Sequence, residues 1–346
     1  MESAQRPRLS PAIADVRRAV RGLLPADGLV LVGLSGGADS LALAAATAFE
    51  APRAGLRAGA VIVDHRLQAG SADVAAAAAE QARALGLDPV LVLPVTVPPG
   101  GSGEGPEAAA RTARYEAFDR ALAETGARHI LLGHTLDDQA ETVLLGLARG
   151  SGPTSLQGMA ARNGPYLRPL LGVRRALTRQ ACLDAALAAW DDPHNADPRY
   201  ARVRVRESAL PTLERELGPG VAEALARTAD QLREDAEALD ALVIELAPEI
   251  CEPAEAGIAI SVAALAANPP ALRQRIIRFV AESEFGVSLQ RVHTLAAARL
   301  VTDWHGQGAL DLPGVRVVRQ DGWLILTAPG HAQSKGPSRS HGTSRH

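Results

Sequence analysis

The sequence predicts an α/β protein: a parallel sheet covered by helices on both faces, followed by a smaller, mostly helical domain that ends in a β-hairpin. Three observations predict it. Short, continuous apolar runs alternate with helix-length segments from residue 28 to residue 148, the pattern of strands that receive a helix after each pass. The alternation stops after residue 150. The segment "LDLPGVRVVRQDGWLILTA" then alternates apolar and polar residues about Asp321-Gly322, a dipeptide suited to a tight hairpin turn.

Taken in order, residues 11–24 predict a leading helix. "GLVLVGL" (28–34) is a buried strand by its unbroken apolar run. "SLALAAATAFE" (40–50) is a helix, "AGAVIVD" (58–64) the second strand, and 71–86 the next helix. "PVLVLPV" (89–95) is a third strand, and the Pro/Gly-rich "TVPPGGSGEGP" after it predicts a mobile loop. Residues 107–125 form an arginine-rich helix, "RHILLG" (128–133) a fourth strand, and 135–148 another helix. Further on, 174–190 reads as helical and "DDPHNADP" (191–198) as a polar, proline-broken loop. "LGPG" (217–220) breaks the chain before a long helix, 221–247. Helices near 271–285 and 288–303 lead to the hairpin. The expected domains are 1–217, catalytic; 218–330, a helical linker and small C-terminal domain; and 331–346, a small, polar, disordered tail.

Composition narrows the function classes. The 346 residues are 47% hydrophobic but only 3% aromatic, enough for one large domain and a smaller one whose cores must be alanine, leucine and valine. A net charge of −3 means that a nucleic acid would be met by local arginine patches. Cys182 and Cys251 lie far apart without a CxxC, which argues against zinc, iron–sulfur and dithiol chemistry. The N-terminus has no apolar leader, and no apolar run approaches the roughly 20 residues that span a bilayer. A cytoplasmic protein with no membrane partner is expected.

"LVLVGLSGGADSLAL" (29–43) carries the first chemistry. A helix that starts just after a strand presents unpaired N–H groups and a positive dipole end. Gly36 and Gly37 let the backbone curl close to a ligand, and Ser35 and Ser40 add hydroxyl donors, so that the turn is a socket for phosphate. Asp39 conflicts with an anion socket unless Mg²⁺ bridges carboxylate and phosphate. No lysine follows the glycines, since the one lysine of the chain is Lys335, and there is no G-x-G-x-x-G, so this is neither a Walker A loop nor a dinucleotide fingerprint. "SGGADS" resembles the pyrophosphate-binding loop of the N-type ATP pyrophosphatases. Those enzymes cleave ATP between its α and β phosphates and make an adenylated intermediate. The resemblance implies a Rossmann-like, adenine nucleotide alpha hydrolase-like PP-loop domain, with Ser35, Gly36, Gly37, Ala38, Asp39 and Ser40 on the pyrophosphate end of ATP.

"GHTLDDQAETVLLGLARGSG" (133–152) carries the second. His134, Asp137, Asp138 and Glu141 fall at i, i+3, i+4 and i+7, one face of a helix, while Leu136, Val143, Leu144 and Leu147 are expected to face the core. Ionisable groups at the C-terminal edge of a parallel sheet lie where such folds bind ligands. This segment, with "VDHRL" (63–67), "EAAARTARYEAF" (107–118), "LRPLL" (167–171) and "DPHNADPRYARVRVR" (192–206), is similar to the tRNA(Ile)-lysidine synthetase family. The likeness is strong over 28–217 and weaker over 220–328, where "WHGQGALDLPGVRV" (304–317) resembles the family's small C-terminal domain in its short form. Arg66 stands where a glycine is often seen after V-D-H.

The resemblance implies ATP-dependent ligation of free L-lysine to C2 of the wobble cytidine of a tRNA(Ile) with a CAU anticodon, with ATP and Mg²⁺ required. It implies that Asp39 and Asp138 position Mg²⁺ or the lysine ammonium, two roles that sequence does not separate. Arg111 would contact the α-phosphate or the base, with Arg114 one turn on as its substitute. His134 is either a proton carrier or a cap on the site. Asp137 and Glu141 are candidates for the lysine, and Val63 and His65 for adenine. Arg199, Arg202, Arg204 and Arg206 suit RNA phosphates, as do Arg273, Arg275 and Arg278. A homodimer stays open. The alternatives are another PP-loop tRNA-modifying enzyme with a different acceptor, or a nucleotide-binding sensor without catalysis.

Overall fold

The structure, a computed structural model, describes residues 10–66, 70–96, 106–150, 152–192 and 197–330. Most of the expected loop after residue 95, residues 193–196 of the proline-broken loop, and the tail from 331 lie outside the described residues. The chain divides into two compact units, Met1–Arg233 and Glu234–His346, with the division inside one long helix.

The first unit runs α1 (Pro11–Leu23), β1 (Leu29–Gly33), α2 (Ala38–Arg53), β2 (Arg57–Asp64), α3 (Ser71–Ala84), β3 (Val90–Pro94), α4 (Pro106–Thr125), β4 (His129–Leu132) and α5 (Leu136–Arg149). A short α6 (Pro153–Leu156) precedes β5 (Arg162–Asn163), β6 (Tyr166–Leu167) and α7 (Arg175–Asp184). Then come α8 (Ala201–Arg204), a π-helical turn (Val205–Ala209), α9 (Leu210–Leu217) and the start of α10 (Val221–Ile250). The sheet order is β3-β2-β1-β4-β6-β5, parallel except where β5 meets β6.

Strand β1 shows why its sequence is an unbroken apolar run. Val30 and Val32 enter the core formed with Val16, Val20, Leu41 and Leu43, while Leu29 and Leu31 enter a second core with Phe118, Ile130 and Leu132. Successive side chains leave a strand on opposite sides, so a strand buried on both faces has no polar position. The strand order reverses between β1 and β4, the crevice where open parallel sheets bind ligands. Gly33 and Leu132 are partners at its edge, so the loops leaving β1 and β4 start side by side.

Several expectations are corrected here. Helix α7 stops at Asp184, and the chain after it folds back irregularly so that the Trp190 N–H bonds the Gly36 carbonyl at 3.0 Å. His134 is not on α5. It precedes Thr135, the N-cap, so only Asp137, Asp138 and Glu141 of the proposed stripe are helical. Leu147 does not face the core but is 60% exposed, because α5's apolar stripe is narrower toward its C-terminal end than the residue types suggest.

The second unit takes the remainder of α10 into β7 (Cys251–Ala254), β8 (Gly257–Ser261), α11 (Val262–Ala267), α12 (Pro270–Phe285), α13 (Arg291–Thr302), β9 (Leu310–Leu312), β10 (Val315–Gln320) and β11 (Trp323–Thr327). Its sheet is antiparallel, in the order β7-β8-β11-β10-β9. Gln320 pairs with Trp323, leaving Asp321 and Gly322 as a two-residue turn with φ of 50° and 84°, the positive pair that such a turn requires. Ile260, Leu265, Ile276, Ile277, Leu324 and Leu326 form its centre.

Candidate active site

The loop between β1 and α2 is braced by one hydroxyl. Ser40 Oγ accepts the Ser35 N–H at 3.2 Å, donates to the Gly37 carbonyl at 2.9 Å and lies 3.1 Å from Ser35 Oγ. Gly36 has φ +85°, open to glycine and strained for other residues, and Gly37 is the N-cap of α2 without a side-chain cap of its own. The first N–H groups of a 16-residue helix therefore have no side-chain acceptor from the N-cap. Beside them, Gly133 at the end of β4 packs so closely on α2 that a Cβ there would lie 3.1 Å from backbone atoms of Asp39 and Ser40.

A cavity of about 850 Å³ opens at this edge. Its lining includes Ser35, Gly37, Ala38, Asp39 and Ser40, Val63 and His65, and Arg114, His134, Asp138 and Arg206. Gly36 is covered by Trp190 and Ala78, and Arg111 is exposed, its guanidinium 5.1 Å over the Tyr115 ring.

Three acids and three arginines form one cluster, of which Asp39, Asp138, Arg175 and Arg206 line the cavity and Glu141 and Arg202 do not. Asp138 completes a capping box: its Oδ2 accepts the Thr135 N–H and hydroxyl, both at 2.8 Å. Its Oδ1 faces Arg175 Nη2 at 2.7 Å and Arg206 Nη2 at 3.5 Å. Glu141, with no exposed side-chain surface, receives Arg175 Nη1 at 3.1 Å, Arg206 Nε at 2.7 Å and Nη2 at 3.0 Å, and lies 3.7 Å from Arg202 Nε. Asp39 accepts the Thr178 hydroxyl on one oxygen and lies 3.5 Å from Arg175 Nε on the other. Asp137 takes no part in the cavity lining; it accepts the first N–H of α7, that of Arg175, at 2.7 Å and pairs with Arg174 at 3.5 Å.

The charges respond to this crowding. Burial pushes the Asp39 carboxyl above the usual carboxylate range, and neighbouring Asp138 adds to the push, while Thr178 and Arg175 oppose it. Burial acts the same way on Asp138, but there Arg175 and the Thr135 hydrogen bonds outweigh it and hold the carboxyl low. Arg175 is held firmly charged: burial works against it, but Asp138, Glu141 and Asp39 prevail. Burial brings His134 down to about 4, and burial with Arg114 does the same for His65. Both rings are therefore neutral near pH 7, and the enclosed Nδ1 of each has no hydrogen-bond partner among the described residues.

The residues fit a Mg²⁺ that arrives with phosphate. Among the described residues no group of three or more His, Cys, Asp and Glu side chains could hold a metal by itself. Mg²⁺ is commonly held by one or two carboxylates with substrate phosphates supplying further oxygens, and Asp39 beside Asp138, with one carboxyl raised for want of compensation, matches that donor set.

The expected arginine ladder splits. Arg202 and Arg206, four residues apart on one face, turn inward to Glu141, and the π-helical turn at Val205–Ala209 carries Arg206 into the cavity. Arg204 points the other way, to the carbonyls of Pro198 and Arg199 at 2.8 and 2.9 Å, and Arg199 is bound to Asp197. In the second unit Arg273 bonds the Leu265 and Asn268 carbonyls at 2.8 and 2.9 Å, Arg275 pairs with Asp240, and Arg278 is held below the usual arginine range by burial and by Arg275.

Sequence reasoning missed Arg175, Arg179 and Trp190, which line the cavity, and Thr178, which holds Asp39. Arg175 had a signal: it is the first residue of α7, where a cation opposes the helix dipole and therefore asks for acids nearby.

Comparison with known proteins gives concordant results. A family model described as the PP-loop domain matches residues 14–213, and one described as the TilS substrate binding domain matches 260–325. A tRNA(Ile)-lysidine synthase of Leifsonia xyli subsp. xyli is 68% identical over 299 residues, 86% of this chain and 89% of that protein. One from Thermobifida fusca is 52% identical over 324 residues, 92% of this chain and 98% of that protein. Among solved structures, the U34-tRNA thiolase NcsA from Methanococcus maripaludis with its [4Fe-4S] cluster superposes with a TM-score of 0.54 at 20% identity. It covers 64% of this chain and 80% of the thiolase, a likeness of fold.

Proposed function

Because the chain belongs to the tRNA(Ile)-lysidine synthase family, we propose that its cavity seats ATP, a cytosine of tRNA and free lysine around the acids of α2 and α5. The protein is an ATP-dependent ligase that acts on tRNA(Ile) to make lysidine. Among the described residues no helix is long and apolar enough to cross a membrane.

The chemistry sets the requirements. A cytosine carbonyl is a poor leaving group. Attack of its O2 on the α-phosphorus of ATP forms an O–P bond, breaks the bond to the β-phosphate and releases pyrophosphate. The lysine ε-amine, once deprotonated, then adds at C2, and the C2–O bond breaks to release AMP. The first step needs its developing charge met by fixed dipoles, and both need close positioning. The N–H groups at the start of α2, which Gly37 leaves without a side-chain cap, suit the pyrophosphate end. Val63 and His65, at the end of β2, suit adenine. Asp39 and Asp138 would hold Mg²⁺, which supplies charge neutralisation on the phosphates. Glu141 and Asp138 suit the lysine ammonium. Arg114, which lines the cavity, is better placed than Arg111 for the phosphate or the base. His134 is neutral and suits a hydrogen-bonding role at neutral pH.

The observation that carries this reading is the adjacency of the anion-binding turn and the acidic cluster at neighbouring strand ends, opening on one cavity. The experiment is mass spectrometry of tRNA(Ile) with a CAU anticodon after incubation with ATP, Mg²⁺ and labelled lysine. Label is expected on the tRNA, with pyrophosphate release that requires tRNA. ATP binding without turnover in the presence of tRNA and lysine overturns the reading.

A further inference from the structure

We propose that Arg175 is the resident counter-cation of the lysine site: it occupies the carboxylates until a triphosphate on the Ser35–Ser40 loop draws its guanidinium away, so that ATP binding precedes and enables lysine binding. This rests on the reading that the cavity binds ATP and lysine.

In the structure each carboxylate of the cluster already faces at least one arginine. Asp39 is met by Thr178 and Arg175. One oxygen of Asp138 is taken by Thr135 and the other by Arg175 and Arg206. Glu141 is shared by Arg175, Arg206 and Arg202. Asp39, Asp138 and Glu141 balance Arg175, Arg202 and Arg206 in formal charge. A lysine ammonium entering this arrangement would add an extra positive charge to acids already matched by arginines.

Arg175 is the one arginine of the three that reaches Asp39, the acid in the first turn of α2. A triphosphate seated against that turn brings several negative charges beside Asp39, and a guanidinium binds phosphate through paired N–H donors as readily as carboxylate. If the guanidinium turns to the phosphates, Asp138 Oδ1 and Glu141 Oε1 each lose a donor and the acids are one positive charge short. One ammonium with three N–H donors restores both the charge and the hydrogen bonds. Mg²⁺ that arrives with the triphosphate is offset by the phosphate charge it comes with, so the exchange of guanidinium for ammonium conserves the charge of the cluster, which is why it favours lysine after ATP and not before it.

The test is calorimetric titration of L-lysine into the full chain, alone and with Mg²⁺ and a non-hydrolysable α,β-methylene ATP analogue. In the wild type the analogue is expected to tighten lysine binding at least tenfold. Linkage requires lysine to tighten analogue binding by the same factor, a check that needs no variant. In Arg175→Gln the ratio is expected to collapse toward one. If this variant does not fold, Arg175→Lys, which keeps the charge without the fork, is expected to give a ratio well below the wild type's. Equal lysine affinity with and without bound analogue in the wild type overturns the proposal. So does a wild-type ratio retained in a folded Arg175 variant. Failure of the analogue itself to bind defeats the functional reading instead, so the two failures are distinct.

Discussion

Arg206 and Glu141 form a two-point ion pair, Nε to Oε1 at 2.7 Å and Nη2 to Oε2 at 3.0 Å, around a carboxylate with no exposed side-chain surface. Removing one partner of a buried pair leaves the other charge uncompensated, at a cost of about 3–5 kcal/mol. Arg175 and Arg202 still approach Glu141, which places Arg206→Ala near the lower end, about 3 kcal/mol. Arg206→Gln with Glu141→Gln removes both charges and is expected to recover most of that stability. Urea denaturation of the two variants beside the wild type checks it.

Asp39 shows the opposite balance. Its carboxyl is raised by burial, so its charge is held at a cost in the folded state. Asp39→Asn keeps an acceptor for Thr178 and removes the repulsion from Asp138. It is expected to melt no lower than the wild type yet form lysidine about 10²-fold more slowly or worse, the scale of losing one charge-stabilising group. Full activity in this variant would show that the acid of the loop does not serve the reaction.

Much of this is legible in the sequence. The unbroken run Leu29–Val32 is a consequence of burial on both faces, and Gly36 is a consequence of a positive φ, so a strand and an anion-binding turn are both written locally. What was not local was not readable. The inward turn of Arg202 and Arg206 depends on Glu141 arriving from α5, and residue type alone made them look like the outward Arg204. Arg175 belongs to the cluster because Asp39, Asp138 and Glu141 converge on it from two other helices. The strands β5 and β6, two residues each, are too short to leave a period.

That split predicts which arginines set the salt dependence of tRNA binding. Arg204 is exposed and spends its donors on neutral carbonyls, so its charge is uncancelled at the surface. Arg202 spends its charge on Glu141. Each phosphate contact contributes about 0.9 to the slope of log affinity against log salt for duplex nucleic acid and about 0.7 for single strands. Arg204→Ala is expected to flatten the slope by about that amount, and Arg202→Ala to leave it unchanged. Filter binding from low to moderate salt distinguishes them, and an unchanged slope in Arg204→Ala would remove that residue from the RNA contact.

Gly133 joins the two halves of the site by its lack of a side chain. A Cβ there would stand 3.1 Å from Asp39 C and Ser40 N, backbone atoms that cannot turn aside as a flexible side chain can. Gly133→Ala is expected to push the first turn of α2 from β4, and with it the N–H groups offered to phosphate. Nucleotide affinity is expected to fall at least tenfold, with a stability loss of about 1–3 kcal/mol, the usual cost of overpacking. Equilibrium binding of the α,β-methylene ATP analogue checks it; unchanged affinity would mean that the turn tolerates displacement.

His134 ties stability to pH in a direction that follows from its environment. Burial holds the folded ring down to about 4, whereas in the unfolded chain it titrates near 6.5. Between those values the unfolded state binds a proton that the folded state refuses, so stability falls as pH falls from 6.5 toward 4 and is fully present above 6.5. At pH 5 the loss from this one ring is about 2 kcal/mol by linkage. His134→Gln cannot titrate, so the difference in unfolding free energy between pH 7.5 and pH 5 should shrink by about that amount, measured without nucleotide. His65, lowered similarly, provides a second and separate decrement on the same limb. If His134→Gln kept the wild-type acid dependence, the ring would have to be accepting its proton in the folded state, and the neutral hydrogen-bonding role given to it would fail.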